Sequence, residues 1–104
     1  MSDLEDTFAF QLSTAGISFE QQVKGLIPGR QFVMDFVFGH IIVEINGGTW
    51  MRKSGHNTSK GIHRDYEKSN LAQLNGYMYL QYTMKELDNL EALDTVKRLL
   101  EMKP

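Results

Sequence analysis

The sequence contains no cysteine, so it can form neither a disulfide nor a zinc site built on thiolates. It also lacks long apolar runs: its uninterrupted apolar stretches extend over a few residues, whereas a membrane-spanning helix needs about 20. The first six residues, Met-Ser-Asp-Leu-Glu-Asp, are acidic where a secretory signal would be basic and then apolar. These absences predict a cytoplasmic protein without a membrane partner.

The length of 104 residues fits one domain, which we expect to span residues 1–104. The formal net charge of −2 argues against a protein that coats nucleic acid through bulk electrostatics. Basic residues are nevertheless concentrated: five of the eleven lie between Trp50 and Lys68, where only two of the thirteen acids fall. A local basic segment can face phosphates, and it can equally be a solvated loop. The candidates for contact with DNA are Arg52, Lys53, Lys60 and Arg64.

Periodicity and turn residues predict a mixed α/β domain in which helices cover a sheet. The most distinct signal is a hairpin: two runs rich in β-branched and aromatic residues flank Gly39-His40, a pair typical of a type II′ turn. The complete predicted order is helix 3–14, strand 17–24, strand 31–37, strand 41–46, helix 62–75, strand 77–83 and a final helix that begins at Thr83. The buried stripe predicted for that final helix consists of Leu87, Leu90, Leu93, Val96 and Leu100.

Two acids, Asp35 and Glu44, interrupt the apolar strands of the hairpin. With Gly39-His40 as the turn, Asp35 lies directly opposite Glu44, on the same face and with Cβ atoms roughly 4.5–5.5 Å apart. Such acids repel each other, and desolvation within apolar strands adds to the cost. A bound Mg²⁺ would cancel that repulsion, keep several waters and accept phosphate oxygens. Such an ion can also activate a water against a phosphodiester.

Two other interpretations of these acids stay open. A longer turn would shift the register and place the two side chains on opposite faces of the sheet. Alternatively, one acid forms an ordinary salt bridge with Arg30 or Lys68.

A series of short stretches carries a family resemblance. They are Pro28–Phe36, Val43–Trp50, Gly55–Thr58, Asp65–Asn70 and Asn75–Tyr77. In this order and spacing, which covers the chain up to about Thr83, they resemble the PD-(D/E)XK nuclease superfamily. More closely, they are similar to small phage-borne endonucleases of the Vsr-like and Holliday-junction-resolvase branches. The resemblance implies an α-β-β-β-α-β core of restriction-endonuclease-like type, here with an additional C-terminal helix.

The resemblance also implies roles for particular residues. Asp35 and Glu44 would bind Mg²⁺, for which Mn²⁺ would substitute, with the backbone carbonyl of Ile45 nearby. The acid on the first helix would correspond to Glu5, whose alternative role is in a capping box with Ser2. Glu20, on the following strand, is the second candidate for that acid.

One position departs from the family pattern. The superfamily usually has a lysine two residues after the glutamate, and this chain has Asn46 there. Lys68, on the second predicted helix, is the best replacement because some branches carry the lysine on that helix. The alternative for Lys68 is a solvated surface side chain.

Three residues of the basic segment have open roles. His56 would act as a general acid or base, given a reference pKa near neutrality, or would contact phosphate; a zinc site with His63 fits less well than a hard-ion site on the hairpin. Trp50 packs at the sheet edge or stacks on an unpaired base.

The function that these features indicate is a metal-dependent DNA endonuclease of recombination or repair, acting on a Holliday junction or other branched DNA. A homodimer would cut both strands symmetrically, and a phage-encoded enzyme would work in the host cytoplasm. Within this class the alternative is a mismatch-nicking or general phage nuclease. From other classes, the alternatives are a non-catalytic DNA-binding module on the same scaffold and a structural domain with no nucleic-acid role.

Overall fold

In the computed structural model, which describes residues 3–46 and 59–102, four strands form a single mixed sheet in the order β1-β2-β3-β4. The elements in these ranges are α1 (Asp3–Thr14), β1 (Glu20–Lys24), β2 (Val33–Phe38), β3 (Ile41–Ile45), α2 (Ser59–Leu74), β4 (Met78–Tyr82), α3 (Met84–Asp88) and α4 (Glu91–Glu101). The predicted mixed α/β class is confirmed.

The first three strands are antiparallel neighbours, and β4 lies parallel to β3. A parallel pair needs a crossover between its strands, and α2 lies in the chain between β3 and β4. The crossover therefore lays α2 against one face of the sheet, where polar side chains of β3 and β4 can contact this helix.

The predicted hairpin register is confirmed, since Phe36 pairs with Val43 and Phe38 with Ile41. Gly39 has a φ of 62°, whereas His40 does not have a positive φ. That combination is the one a type II′ turn requires, and it explains a glycine at the first turn position, where a Cβ would be strained. A two-residue turn then leaves Asp35 and Glu44 at opposite positions of the two strands.

Two clusters of buried side chains cover the two faces of the sheet. Alternate residues of β3 separate between them, because Ile41 and Val43 belong to one cluster and Ile42 to the other. The first cluster includes buried residues of α1, α3 and α4, among them Phe8 and Val96. The second includes residues of α2 and of the turn before β2. The sheet is thus covered on both sides, as the sequence predicts.

The structure corrects three boundaries. The first strand begins at Glu20 rather than at residue 17, and α2 begins at Ser59 rather than at residue 62. The final helix is two helices, which are separated at Leu90 with a φ of 64°. This break turns the chain so that Leu87 and Val96 enter the same cluster. Leu90 and Leu100 are 47% and 37% exposed, so their assignment to a buried stripe is wrong.

Candidate metal centre

The candidate centre lies where β2 and β3 stop pairing. The backbone ladder ends at Phe36 and Val43. Beyond it, a backbone N–H of each strand donates to a carboxylate of the opposite strand instead of to a backbone carbonyl. The Asp35 N–H donates to Glu44 Oε2 at 2.8 Å. The Ile45 N–H donates to Asp35 Oδ2 at 2.9 Å. Both carboxylates therefore lie between the two strands, each held by a backbone amide of the opposite strand.

Pairing on the other edge of β2 is interrupted at the same position. Gln22, which stands opposite Asp35 in the register, is missing from the ladder and has a φ of 53°. Met34 and Phe36 belong to different buried clusters, although residues two apart in a regular strand share a face. The strand twists at Asp35, which leaves this side chain half-buried while its neighbours are buried.

Lys68, on α2, provides the positive charge of the site. Its ammonium donates to Glu44 Oε1 at 2.7 Å and to the backbone carbonyl of Val33 at 2.8 Å. The side chains of Lys68 and Glu44 are 18% and 9% exposed, so most of this ion pair is shielded from water. Of the two interpretations from sequence, the salt bridge of Glu44 with Lys68 is thus present. The repulsion between the two acids is reduced by a charge of the chain itself.

Burial raises the pKa of Glu44, and the negative charge of Asp35 raises it further. The hydrogen bond and charge of Lys68 and the Asp35 N–H lower that pKa and oppose the effect of burial. The residual direction is upward because desolvation of a carboxylate is the largest contribution. A nearby cation therefore stabilises the charged form of Glu44 against the cost of its burial.

Asp35 and Glu44 offer oxygen donors, the ligand type that a hard cation prefers. A carboxylate has about four acceptor sites; within residues 3–46 and 59–102, Asp35 accepts one hydrogen bond and Glu44 accepts two. Among the described side chains, no group of three or more His, Asp or Glu could hold a metal as a cage. Mg²⁺ is commonly bound through one or two carboxylates with waters completing its shell, so Asp35 and Glu44 fit Mg²⁺. They do not fit a closed zinc site, which needs four protein ligands.

Glu5, the predicted helix acid, approaches this centre from α1. Its Oε1 accepts a hydrogen bond from Gln22 Nε2 at 3.0 Å. The pKa of Glu5 is raised, first by burial and then by the charge of Asp35. The structure thus places Glu5 in the electrostatic field of Asp35, whereas Glu20 is an exposed residue at the start of β1. Ser2, the partner in the predicted capping box, lies outside the described residues.

Asn46 occupies the position where the family resemblance leads one to expect lysine. Its backbone N–H donates to the Tyr82 carbonyl at 2.8 Å, and its side-chain Nδ2 donates to Gln81 Oε1 at 3.0 Å. An amide pair therefore stands beside Glu44, while the ammonium on Glu44 comes from Lys68.

A cleft of about 390 Å³ opens between α2 and the β3–β4 pair next to Glu44 and Lys68. Sequence reasoning missed most of its other lining residues, which include Asp65, Tyr66, Tyr79 and Gln81. Tyr79 and Gln81 reach the cleft because β4 is parallel to β3, with Gln81 beside Glu44 in the register. No local signal in the sequence carries that register.

The predicted DNA-contacting residues are only partly described. Arg64 lies over the Phe32 ring at 5.1 Å, and Arg30 lies over the same ring at 4.8 Å while it forms two 2.6 Å hydrogen bonds with Glu67. His63 is exposed on α2. The remaining predicted residues lie outside the described part of the chain: Arg52, Lys53, His56, Trp50 and the side chain of Lys60.

Comparison of the chain with protein-family models, with curated proteins and with solved structures gives no match. In the described part of the chain, none of the helices has the length and apolar character that crossing a membrane requires.

Proposed function

We propose that this chain is a Mg²⁺-dependent DNA endonuclease of the PD-(D/E)XK type that acts in the cytoplasm. The observation that carries the proposal is the interlocking of Asp35 and Glu44 between two separating strands, with Lys68 on Glu44. Apolar strands do not gain stability from two acids at one point. Backbone donors and one ammonium hold both acids in place. A catalytic role explains this arrangement better than a role in core packing does.

Each residue of the centre has a role in the proposed reaction. Asp35 and Glu44 would hold the metal, with the carbonyl of Ile45 nearby. The bound ion would supply charge stabilisation at the phosphodiester and a more acidic water. Lys68, whose ammonium lies on Glu44, would add positive charge beside the attacked phosphate, where it would oppose the negative charge that develops. Glu5 would add negative charge behind Asp35.

The order of the elements supports the proposed type. The described helices and strands begin α-β-β-β-α-β, with the two acids on adjacent strands β2 and β3, as the sequence resemblance implies. The substrate of the proposal is a branched or distorted DNA, such as a Holliday junction, which a homodimer would cut in two strands. Phosphate contacts by Arg64 and the basic segment would make binding strongly dependent on salt.

Nicking of supercoiled plasmid tests the proposal. With Mg²⁺ or Mn²⁺ the wild-type chain should convert supercoiled DNA to nicked circles, and EDTA should stop it. Asp35→Asn and Glu44→Gln should each lower the rate at least about 100-fold, in the range of losses seen when one charge-stabilising group is removed from an active site. The exposed Lys97→Met variant on α4 is the matched control and should nick at the wild-type rate.

Metal binding gives a readout that is independent of activity. Mg²⁺ should raise the melting temperature of the wild-type chain, because a ligand bound only by the folded state stabilises it. Asp35→Asn should remove this increase. Absence of nicking on plasmid, four-way junction, flap and mismatched DNA, together with no Mg²⁺ stabilisation, would refute the proposal.

One observation favours a second candidate, a non-catalytic DNA-binding module. Lys68 already compensates Glu44, and Asn46 stands at the position where lysine is expected. This candidate predicts DNA binding that weakens with salt, no nicking by any of the variants and no effect of Asp35→Asn on DNA affinity.

A further inference from the structure

The cleft beside the candidate metal centre is the feature that the proposed chemistry leaves unused. Its volume of about 390 Å³ is within the range of small-molecule sites. Its lining includes Glu44 and Lys68 of the centre, together with Asp65 and Tyr66, which lie on α2 as Lys68 does. A substrate cut at the centre would therefore place one of its neighbouring groups in this cleft.

Among the described residues, the charges that line the cleft are mostly negative and favour a neutral group over phosphate. Two carboxylates, Glu44 and Asp65, line it, and its one described ammonium, on Lys68, is already bonded to Glu44 and to Val33. The pKa of Tyr79 is raised by burial and then by the negative charges of Glu44 and Asp65, both of which line the cleft. A neutral group is favoured over an anion.

The cleft is also lined by neutral side chains that form hydrogen bonds, among them Asn46, Tyr79 and Gln81. The Asn46 side-chain amide donates to Gln81 Oε1. Within the described part of the chain, Gln81 Nε2 donates to no group. Tyr79 remains protonated and can donate from its hydroxyl. Asparagine and glutamine amides are the side chains that pair with base edges.

The rim of the cleft also carries an exposed aromatic ring. Tyr66 lines the cleft and is 63% exposed, although an aromatic residue ordinarily buries most of its surface. A ring at the mouth of a polar cleft can stack on a base, because every base presents a π-face.

We infer that the cleft binds one unpaired nucleobase of the DNA, next to the nucleotide whose phosphodiester is cut. Tyr66 stacks on the base, and Gln81 and Tyr79 hydrogen-bond its edge. This inference rests on the proposed nuclease function and narrows its substrate to DNA with an unpaired or easily unpaired base. Extracting a base from a matched duplex requires unstacking, and the cost is least when the base is already unpaired.

The test compares the binding of two DNAs that differ in one base. One is a matched duplex, and the other has the same sequence with a single extra, unpaired adenine. Fluorescence anisotropy in EDTA measures affinity without cleavage. The wild-type chain should bind the bulged DNA at least about tenfold more tightly. Tyr66→Ala should remove that preference, whereas Tyr66→Phe, which keeps the ring, should retain it.

Phe10→Ala is the matched control, since Phe10 is 72% exposed on α1 and does not line the cleft. It should leave both affinities unchanged. A second reporter is 2-aminopurine at the bulge, whose fluorescence should change with the wild-type chain and with Tyr66→Phe but not with Tyr66→Ala. Equal binding of the two DNAs by the wild-type chain, or an equal effect of Tyr66→Ala on both, would overturn the inference.

Cleavage of the same DNAs in Mg²⁺ separates the two proposals. Cleavage of both DNAs at equal rates would leave the nuclease standing and refute the base site. Preferential binding of the bulged DNA without any cleavage would support the base site and favour the non-catalytic DNA-binding module over the nuclease.

Discussion

The ion pair between Lys68 and Glu44 offers the sharpest test of how the centre is stabilised. Lys68→Met in EDTA leaves the Glu44 carboxylate, whose side chain is 9% exposed, without its cation. Breaking a buried pair from one side costs about 3–5 kcal/mol, because the remaining charge stays desolvated. We therefore expect a large loss in the free energy of unfolding.

Protonation of Glu44 sets an upper limit to that loss. At pH 7, protonating a carboxyl group with the ordinary pKa of 4.5 costs about 3.4 kcal/mol, at 1.36 kcal/mol per pKa unit. At pH 5 the same limit is about 0.7 kcal/mol. The lost hydrogen bond to Val33 adds about 1 kcal/mol at either pH. The expected loss is thus at most about 4.4 kcal/mol at pH 7 and at most about 1.7 kcal/mol at pH 5.

The sign of this pH dependence follows from the raised pKa. Between 4.5 and the raised value, the folded state binds more protons at Glu44 than the unfolded state does. Stability contributed by this group therefore falls as the pH increases through that window. Lys68→Met removes the ammonium, whose hydrogen bond and charge lower the pKa of Glu44, and so extends the window upward.

Urea unfolding at pH 5 and pH 7 measures these quantities in four chains: wild type, Lys68→Met, Glu44→Gln and the double variant. Glu44→Gln should restore most of the stability lost in Lys68→Met, because a neutral amide has no charge to desolvate. Lys97→Met, exposed on α4, is the control and should change stability by less than about 0.5 kcal/mol. A loss of equal size at both pH values, or no recovery in the double variant, would refute the reasoning.

Two further predictions concern the elements that position the centre. Gly39→Ala should lower the free energy of unfolding by about 1–2 kcal/mol, because a Cβ is strained at a φ of 62°, and urea unfolding would show it; unchanged stability would contradict the turn geometry. Glu86 accepts hydrogen bonds from the Thr83 N–H and hydroxyl, which lower the pKa of its carboxyl. Its contribution is present above pH 4.5 and is lost as the pH falls below that value, so Glu86→Gln should flatten the acid side of a plot of melting temperature against pH. An unaltered acid side would show that Glu86 does not cap α3.

Much of the fold is predictable because its signals are local. The register of the hairpin follows from one glycine, since Gly39 selects a two-residue turn and that turn fixes which residues of β2 and β3 pair. The bounds of α1 are predicted by a helical spacing of apolar residues that ends at Ala15-Gly16. The prediction of a single final helix is wrong because the break at Leu90 depends on the packing of Leu87 and Val96. Helical periodicity does not indicate that packing.

The sequence predicts which residues form the candidate centre, but it does not predict the hydrogen bonds that these residues make. The positions of Asp35 and Glu44 follow from the hairpin, and Lys68 follows from the family resemblance. That the ladder ends at Phe36, and that each acid accepts the backbone N–H of the other strand, depends on the local twist of β1 at Gln22 and of β2 at Asp35. Strand twist is a property of the whole sheet, so no residue pattern in the hairpin reports it.

By itself, the sequence determined a mixed α/β chain with a tight hairpin that sets two acids opposite each other, because turn chemistry and period-two alternation act over a few residues. Only the tertiary structure decided that Lys68 reaches Glu44 and that Gln81 and Tyr79 border the same cleft. Those contacts join residues between 24 and 37 positions apart in the chain. They exist because the crossover through α2 lays β4 parallel to β3, and the length of a crossover does not specify the register of the strand that follows it.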